Sequence, residues 1–208
     1  SRLIEHCRLY AILDTTWLAG RDVAVVASQM IEGGVDLIQL RAKKESDEEM
    51  TALARSIRKV TNTHEIPFMI NDRPHLAAAT GADGAHVGQD DLSVAEARRI
   101  IGSGKWVGKS THSLRQALDA EREGADYIGV GPVYATPTKP DYSPVGLGLV
   151  RQVSSQVKIP FFCIGGIKLE NTAEVLAAGA RRLVVVSGIL QATNMINYCR
   201  ALKALLRN

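Results

Sequence analysis

Eight short apolar runs, separated by longer amphipathic stretches, constrain this 208-residue chain more than any other feature of it. The runs cover residues 9–13, 37–40, 67–70, 84–87, 106–108, 127–130, 160–164 and 183–186. Each has strand length, and most are rich in β-branched side chains. Stretches such as 47–61 and 114–123 instead repeat apolar positions every three or four residues, which predicts helices. Strand–helix alternation with short connections implies parallel strands, because a right-handed helical crossover returns the chain to the same end of the sheet.

The glycines sharpen this picture. Gly33-Gly34-Val35-Asp36, Gly81-Ala82-Asp83, Gly124-Ala125-Asp126 and Gly179-Ala180-Arg181 each stand between a predicted helix and the next strand. A helix commonly ends in a left-handed residue there, and glycine adopts it most readily. Successive repeats lie two strand–helix units apart, and Ile66-Pro67-Phe68 recurs four units later as Ile159-Pro160-Phe161. Quarter- and half-repeats of this kind suit a closed eightfold array, whereas an open sheet gives no reason for them. The expected fold is a (β/α)8 TIM barrel, a single catalytic domain over residues 1–208, at the small end of the size range.

Composition removes several function classes. A hydrophobic content of 46% and a charged content of 23% exclude a disordered chain, a collagen-like repeat and a coiled coil. No window approaches the roughly 20 apolar residues of a spanning helix, and the start at Ser1 has no signal-peptide core. Lys and Arg total 25 against 22 Asp and Glu, giving +3 without a cluster, so neither nucleic acid nor a membrane is expected as partner. Cys7, Cys163 and Cys199 are odd in number and widely spaced, which suits a reducing, cytoplasmic setting. The apolar faces of outer helices serve packing or a partner copy equally, leaving a homo-oligomer open.

In such a barrel, polar groups at strand C-termini face the active-site mouth. After strand two, Gln39, Arg41 and Lys43 share a parity and lie on one side of an extended ribbon. Strand three ends in Asn71-Asp72, strand four in Gln89-Asp90-Asp91, and strand five in Lys109-Ser110-Thr111-His112. Strand six opens a polar, proline-rich loop over 134–143 that could cover the site as a lid. Strands seven and eight end in Gly165-Gly166 and Ser187-Gly188, in the loops that usually bind phosphate in this architecture. A side chain at either glycine of the first pair would keep phosphate from the backbone. Asp72 and Asp91, at the ends of neighbouring strands, would repel unless a cation lay between them. Oxygen ligands beside a phosphate site suggest Mg²⁺, and Arg41, Lys43 and Lys139 add charge suited to a diphosphate.

Other residues have plainer roles. Asp90 or Asp91 could cap the following helix. His112 reads as a loop-holding residue or a proton shuttle, His86 as a core hydrogen-bonding residue, Cys163 as a small hydrophobe and Trp17 as a cover over the mouth.

Together these segments resemble the thiamine-phosphate synthase family. The resemblance rests on Gln39-Leu-Arg-Ala-Lys43, Ile70-Asn-Asp72, His86-Val-Gly-Gln-Asp-Asp91, Gly129-Val-Gly-Pro-Val-Tyr-Ala-Thr-Pro-Thr-Lys139, Ile164-Gly-Gly166 and Val186-Ser187. It spans nearly the whole chain and implies a transferase of thiamine biosynthesis. Such an enzyme joins 4-amino-2-methyl-5-(diphosphooxymethyl)pyrimidine to 4-methyl-5-(2-phosphoethyl)thiazole, giving thiamine phosphate and diphosphate. By motif, Asp72 and Asp91 would hold Mg²⁺. Gln39, Arg41, Lys43, Asn71, Ser110 and Lys139 would contact the pyrimidine diphosphate, with Arg41, Lys43, Ser110 and Lys139 as the catalytic set. Thr136, Thr138, Gly166, Val186 and Ser187 would contact the thiazole phosphate. Val186 replaces a frequent isoleucine and would act through its backbone, and Lys109 before Ser110 is less usual. The implied mechanism ionises the pyrimidine diphosphate and captures the resulting methylene cation with the thiazole nitrogen, which requires no protein nucleophile. Two rivals remain: a related thiazole tautomerase, in which two metal ligands would have no work, and a non-catalytic phosphate-ligand-binding barrel.

Overall fold

Strand pairing closes on itself. β1 (Leu9–Asp14), β2 (Leu37–Arg41), β3 (Phe68–Asn71), β4 (Gly84–Val87), β5 (Trp106–Thr111), β6 (Tyr127–Val130), β7 (Phe161–Cys163) and β8 (Leu183–Val185) pair in sequence order, all parallel. β8 returns to β1 with Leu9 opposite Leu183, completing a TIM barrel. This computed structural model describes residues 3–207; Ser1, from which the signal-peptide reading started, lies outside the described residues with Arg2 and Asn208. Among the described residues, no helix is long and apolar enough to cross a membrane.

Alternation along the strands divides the apolar residues into two cores. Tyr10, Leu37, Met69, Tyr127, Phe162 and Val184 fill the barrel lumen. Leu9, Ile38, Phe68, Val107, Ile128 and Leu183 point outward and pack under the helices. Gly108 makes room for this lumen packing, since a Cβ there would lie 2.2 Å from the Tyr127 ring.

The helical layer comprises α1 (Val23–Glu32), α2 (Asp47–Thr63), α3 (Pro74–Thr80), α4 (Val94–Ile101), α5 (Leu114–Arg122), α6 (Gly146–Gln156), α7 (Leu169–Ala177), α8 (Ser187–Leu190) and α9 (Met195–Leu205). α2 buries Met50, Ala54, Ile57 and Thr61, one helical stripe, and starts at a Ser46–Glu49 capping box worth about 1 kcal/mol. Ser93, rather than Asp90 or Asp91, caps α4 through a second such box with Glu96. The repeat glycines Gly34, Gly81, Gly124 and Gly179 all have positive φ, between 68° and 111°.

The half-repeat is equally concrete. Pro67 and Pro160 lie one residue before their strands, where a missing N–H does no harm. Their carbonyls accept from Ile38 and Ile128 of the neighbouring strands, both at 3.1 Å.

At the N-terminal end of the barrel the repeated aspartates are tied down. Asp83 accepts from the Phe68 N–H and from Arg58, and Asp126 from the Val107 N–H and from Arg98. Asp36 accepts from the Leu9 N–H and from Lys203 in the same way.

Candidate active site

At the opposite end, closure is only partial: Arg41 and Lys43 have carboxylate partners, whereas Asp91 and Lys139 form no ion pair among the described residues. β2 carries Gln39 and Arg41 inward, and Arg41 donates at 2.6 Å to Asp14, a carboxylate only 1% exposed at the end of β1. That bond fixes the guanidinium in the mouth. Lys43 lies two residues beyond the strand and still pairs with Asp72.

Asp72 is held in an uncommon backbone conformation. Its φ of 63° is left-handed, which costs about 1–3 kcal/mol in a non-glycine residue. The Asp72 N–H donates to His86 O, and the Arg73 N–H donates to Asn71 O, each at 2.8 Å. Asp91 is not at a strand end as the sequence suggested. It lies four residues beyond β4 and folds back, its carboxylate accepting the Gly88 N–H at 2.7 Å. The two carboxyl groups lie near enough to shift each other's protonation in opposite directions. Burial pushes Asp72 above the ordinary carboxylate range, against the opposing pull of Lys43. Burial acts in the same direction on Asp91, but the neighbouring Asp72, its bond to Gly88 and the charges of Lys43 and Lys109 outweigh it, leaving Asp91 low. Side by side, the pair could hold a small divalent cation.

Lys109 belongs to the support beneath this site. It is 6% exposed and donates at 2.8 Å to Gly88 O, below the Asp91 turn. On the inward side of the same strand, Ser110 Oγ lies 2.7 Å from His86 Nε2, and Gln89 ties the loop down through Ser110 O. His86 is buried, and burial first, with the Lys139 and Lys109 charges, lowers its pKa to about 3.

The loop over 134–143 folds against the mouth. Lys139 lies 5.7 Å from the Tyr142 ring centroid, and the His112 ring lies 4.3 Å from the same centroid. Burial and the nearby Arg41 charge lower the Lys139 pKa. His112 donates from Nδ1 to Gly131 O at 2.6 Å, so the structure gives it the loop-holding role. Burial lowers its pKa despite that bond.

The glycine pair after β7 has a different constraint from the one expected. A Cβ at Gly165 would lie 2.3 Å from Pro132 Cα, and one at Gly166 would lie 2.8 Å from Ala135 O. These residues therefore let two loops touch, and both also have positive φ. Asn171 of α7 donates to Gly166 O at 2.8 Å and fixes the turn.

All the sequence-derived site residues meet at this mouth, in two adjoining chambers. Gln39, Thr136, Gly166, Val186 and Ser187 line the deeper one, a cleft open to solvent. Lys43, Asp72 and Asp91 line the outer one. Arg41, Asn71, Ser110, Thr138 and Lys139 border both. Trp17 packs, partly buried, against the outer core and does not line either chamber. Sequence reasoning missed Asp14, whose inward parity with Tyr10 and Ile12 was the available signal, and Asn171, a helix residue with no signal at all.

A family model described as thiamine monophosphate synthase matches residues 9–189, from the first strand into α8. The chain belongs to the thiamine monophosphate synthase family. Thiamine-phosphate synthase of Shouchella clausii is 46% identical over 95% of both chains. That of Halalkalibacterium halodurans is 44% identical over 96% of this chain and 95% of its own. Among solved structures, thiamine phosphate pyrophosphorylase from Pyrococcus furiosus superposes with a TM-score of 0.88 at 32% identity, covering 96% of this chain and 95% of that one. As a member of this synthase family, the chain is a transferase.

Proposed function

We propose that the chain forms one catalytic domain that joins 4-amino-2-methyl-5-(diphosphooxymethyl)pyrimidine to 4-methyl-5-(2-phosphoethyl)thiazole, releasing diphosphate in thiamine biosynthesis. One observation carries the reading: a carboxylate pair and three cations share a chamber that opens directly onto a second one lined by Gly166 and Ser187. A diphosphate suits the first chamber and a phosphorylated thiazole the second. The buried cysteines are consistent with a reducing, cytoplasmic setting.

The donor set fits Mg²⁺. Asp72 and Asp91 are hard oxygen ligands, and no cluster of three or more His, Cys, Asp or Glu able to hold a metal occurs among the described residues. A cation here would complete its shell with water and substrate oxygens, as Mg²⁺ commonly does. When bound, Mg²⁺ would supply charge neutralisation for the departing diphosphate.

The remaining work falls to side chains. Arg41, oriented by Asp14, and Lys43 and Lys139 face the oxygens on which negative charge grows as the C–O bond breaks. Gln39, Asn71 and Ser110 orient the pyrimidine. Thr136, Thr138 and the backbone around Gly166, Val186 and Ser187 hold the thiazole phosphate. The thiazole nitrogen then donates its lone pair to the methylene carbon while the lid residues keep water away.

Incubation with both phosphorylated substrates and Mg²⁺ tests the reading. Thiamine phosphate and diphosphate appearing in equal amounts would support it. Isomerisation of a thiazole carboxylate phosphate with no diphosphate formed would favour the tautomerase instead.

A further inference from the structure

Five side chains from five strands form an unbroken hydrogen-bond path across the lumen, and its two middle members, Tyr10 and Tyr127, line neither chamber. Gln39 Nε2 donates to Tyr10 Oη at 2.6 Å. Tyr10 Oη and Tyr127 Oη are 2.9 Å apart, Tyr127 Oη and His86 Nδ1 3.0 Å, and His86 Nε2 and Ser110 Oγ 2.7 Å. Tyr10, Tyr127 and Gln39 are each 2% exposed or less, so water is not available to repair a mismatch. In a buried chain every proton needs an acceptor.

With the Gln39 amide nitrogen toward Tyr10, that requirement sets the direction of the path. Tyr10 already accepts from Gln39, so its own proton goes to Tyr127. Tyr127 then donates to His86 Nδ1. An imidazole accepting at Nδ1 carries its proton on Nε2, which donates to Ser110 Oγ. The Ser110 hydroxyl proton is thereby turned out of the chain and into the cleft. A doubly protonated His86 would donate back into Tyr127 and leave one phenol proton without a partner.

We propose that Gln39, Tyr10, Tyr127 and His86 form a positioning chain that holds Ser110 as a hydrogen-bond donor toward an acceptor atom of the pyrimidine diphosphate. The inference rests on the function proposed above for the identity of that ligand. Tyr10, Tyr127 and His86 act through Ser110 and are positioning residues. Gln39 both lines the cleft and starts the path.

The test has two arms. In ¹⁵N-histidine-labelled protein without substrate, with His86 assigned by comparison with His86→Gln, the expected signature is a neutral ring protonated on Nε2. A ring protonated on Nδ1, or on both nitrogens, overturns the proposal. The second arm is a kinetic double-mutant cycle. Ser110→Ala should lower kcat by roughly 100-fold, as losing one aimed donor does. Tyr127→Phe should lower it by about tenfold in the native background and have no further effect in the Ser110→Ala background. Equal losses in both backgrounds would mean that Tyr127 serves packing alone and would overturn the proposal. Tyr10→Phe supplies the same cycle if Tyr127→Phe does not fold. A protein without condensation activity would sink the proposed function, and the ring tautomer would still judge the chain.

Discussion

The two ends of the barrel carry similar charges and use them differently. At the N-terminal end, Asp83 and Asp126 each combine a strand N–H with one arginine, and Asp36 combines a strand N–H with Lys203. Each carboxylate there is satisfied by the fold itself. At the C-terminal mouth, Asp72 and Asp91 shift each other's protonation, Asp72 occupies a left-handed conformation, and Lys139 is desolvated beside Arg41. Lys43 answers Asp72 and Arg41 answers Asp14, but Asp91 and Lys139 have no ion pair among the described residues. An ion pair that the fold completes contributes stability; one left strained or crowded stores binding capacity for a ligand.

Substitutions should separate the two ends. Asp91→Asn should lower Mg²⁺-dependent turnover by at least about 100-fold with little change in melting temperature, read by diphosphate release and calorimetry. Lys139→Ala should lower kcat by about 10- to 100-fold while stability stays within about 0.5 kcal/mol, since the side chain is on a partly exposed loop. Ser187→Asp should raise the Kd for the thiazole phosphate by about tenfold or more through charge repulsion, measurable by calorimetric titration. The smallest catalytic effect is expected at the other end. Asp126→Ala leaves the Val107 N–H and Arg98 without their partner, costing about 1–3 kcal/mol, or about 2–4 °C per kcal/mol at this size. Its kcat should be unchanged. A variant at the N-terminal end that lost activity while keeping its stability would break the distinction.

Much of this architecture was legible before any coordinates. All eight strands lie where the apolar runs predicted them, because buried parallel strands need continuous apolar sequence and are bounded by turn glycines. β5 extends to Thr111 beyond the expected end, since polar Lys109 and Ser110 resemble loop residues until one sees that they alternate between outer support and inner cleft. The site residues themselves were legible as a set because strand ends converge on one mouth. Pairings across the barrel were not. Arg41 meets Asp14 at a separation of 27 residues, and Tyr10 meets Tyr127 at 117. Spacing along a chain carries no record of such contacts, so the support for Arg41 and Ser110 emerged only with the fold.

Diphosphate release measured against added Mg²⁺, after exhaustive chelation, tests the mouth's carboxylate pair most directly. The predicted result is release that vanishes on chelation and returns with Mg²⁺ in the native chain but not in Asp72→Asn or Asp91→Asn. Full release by the chelated native chain, or undiminished release by both variants, would contradict it.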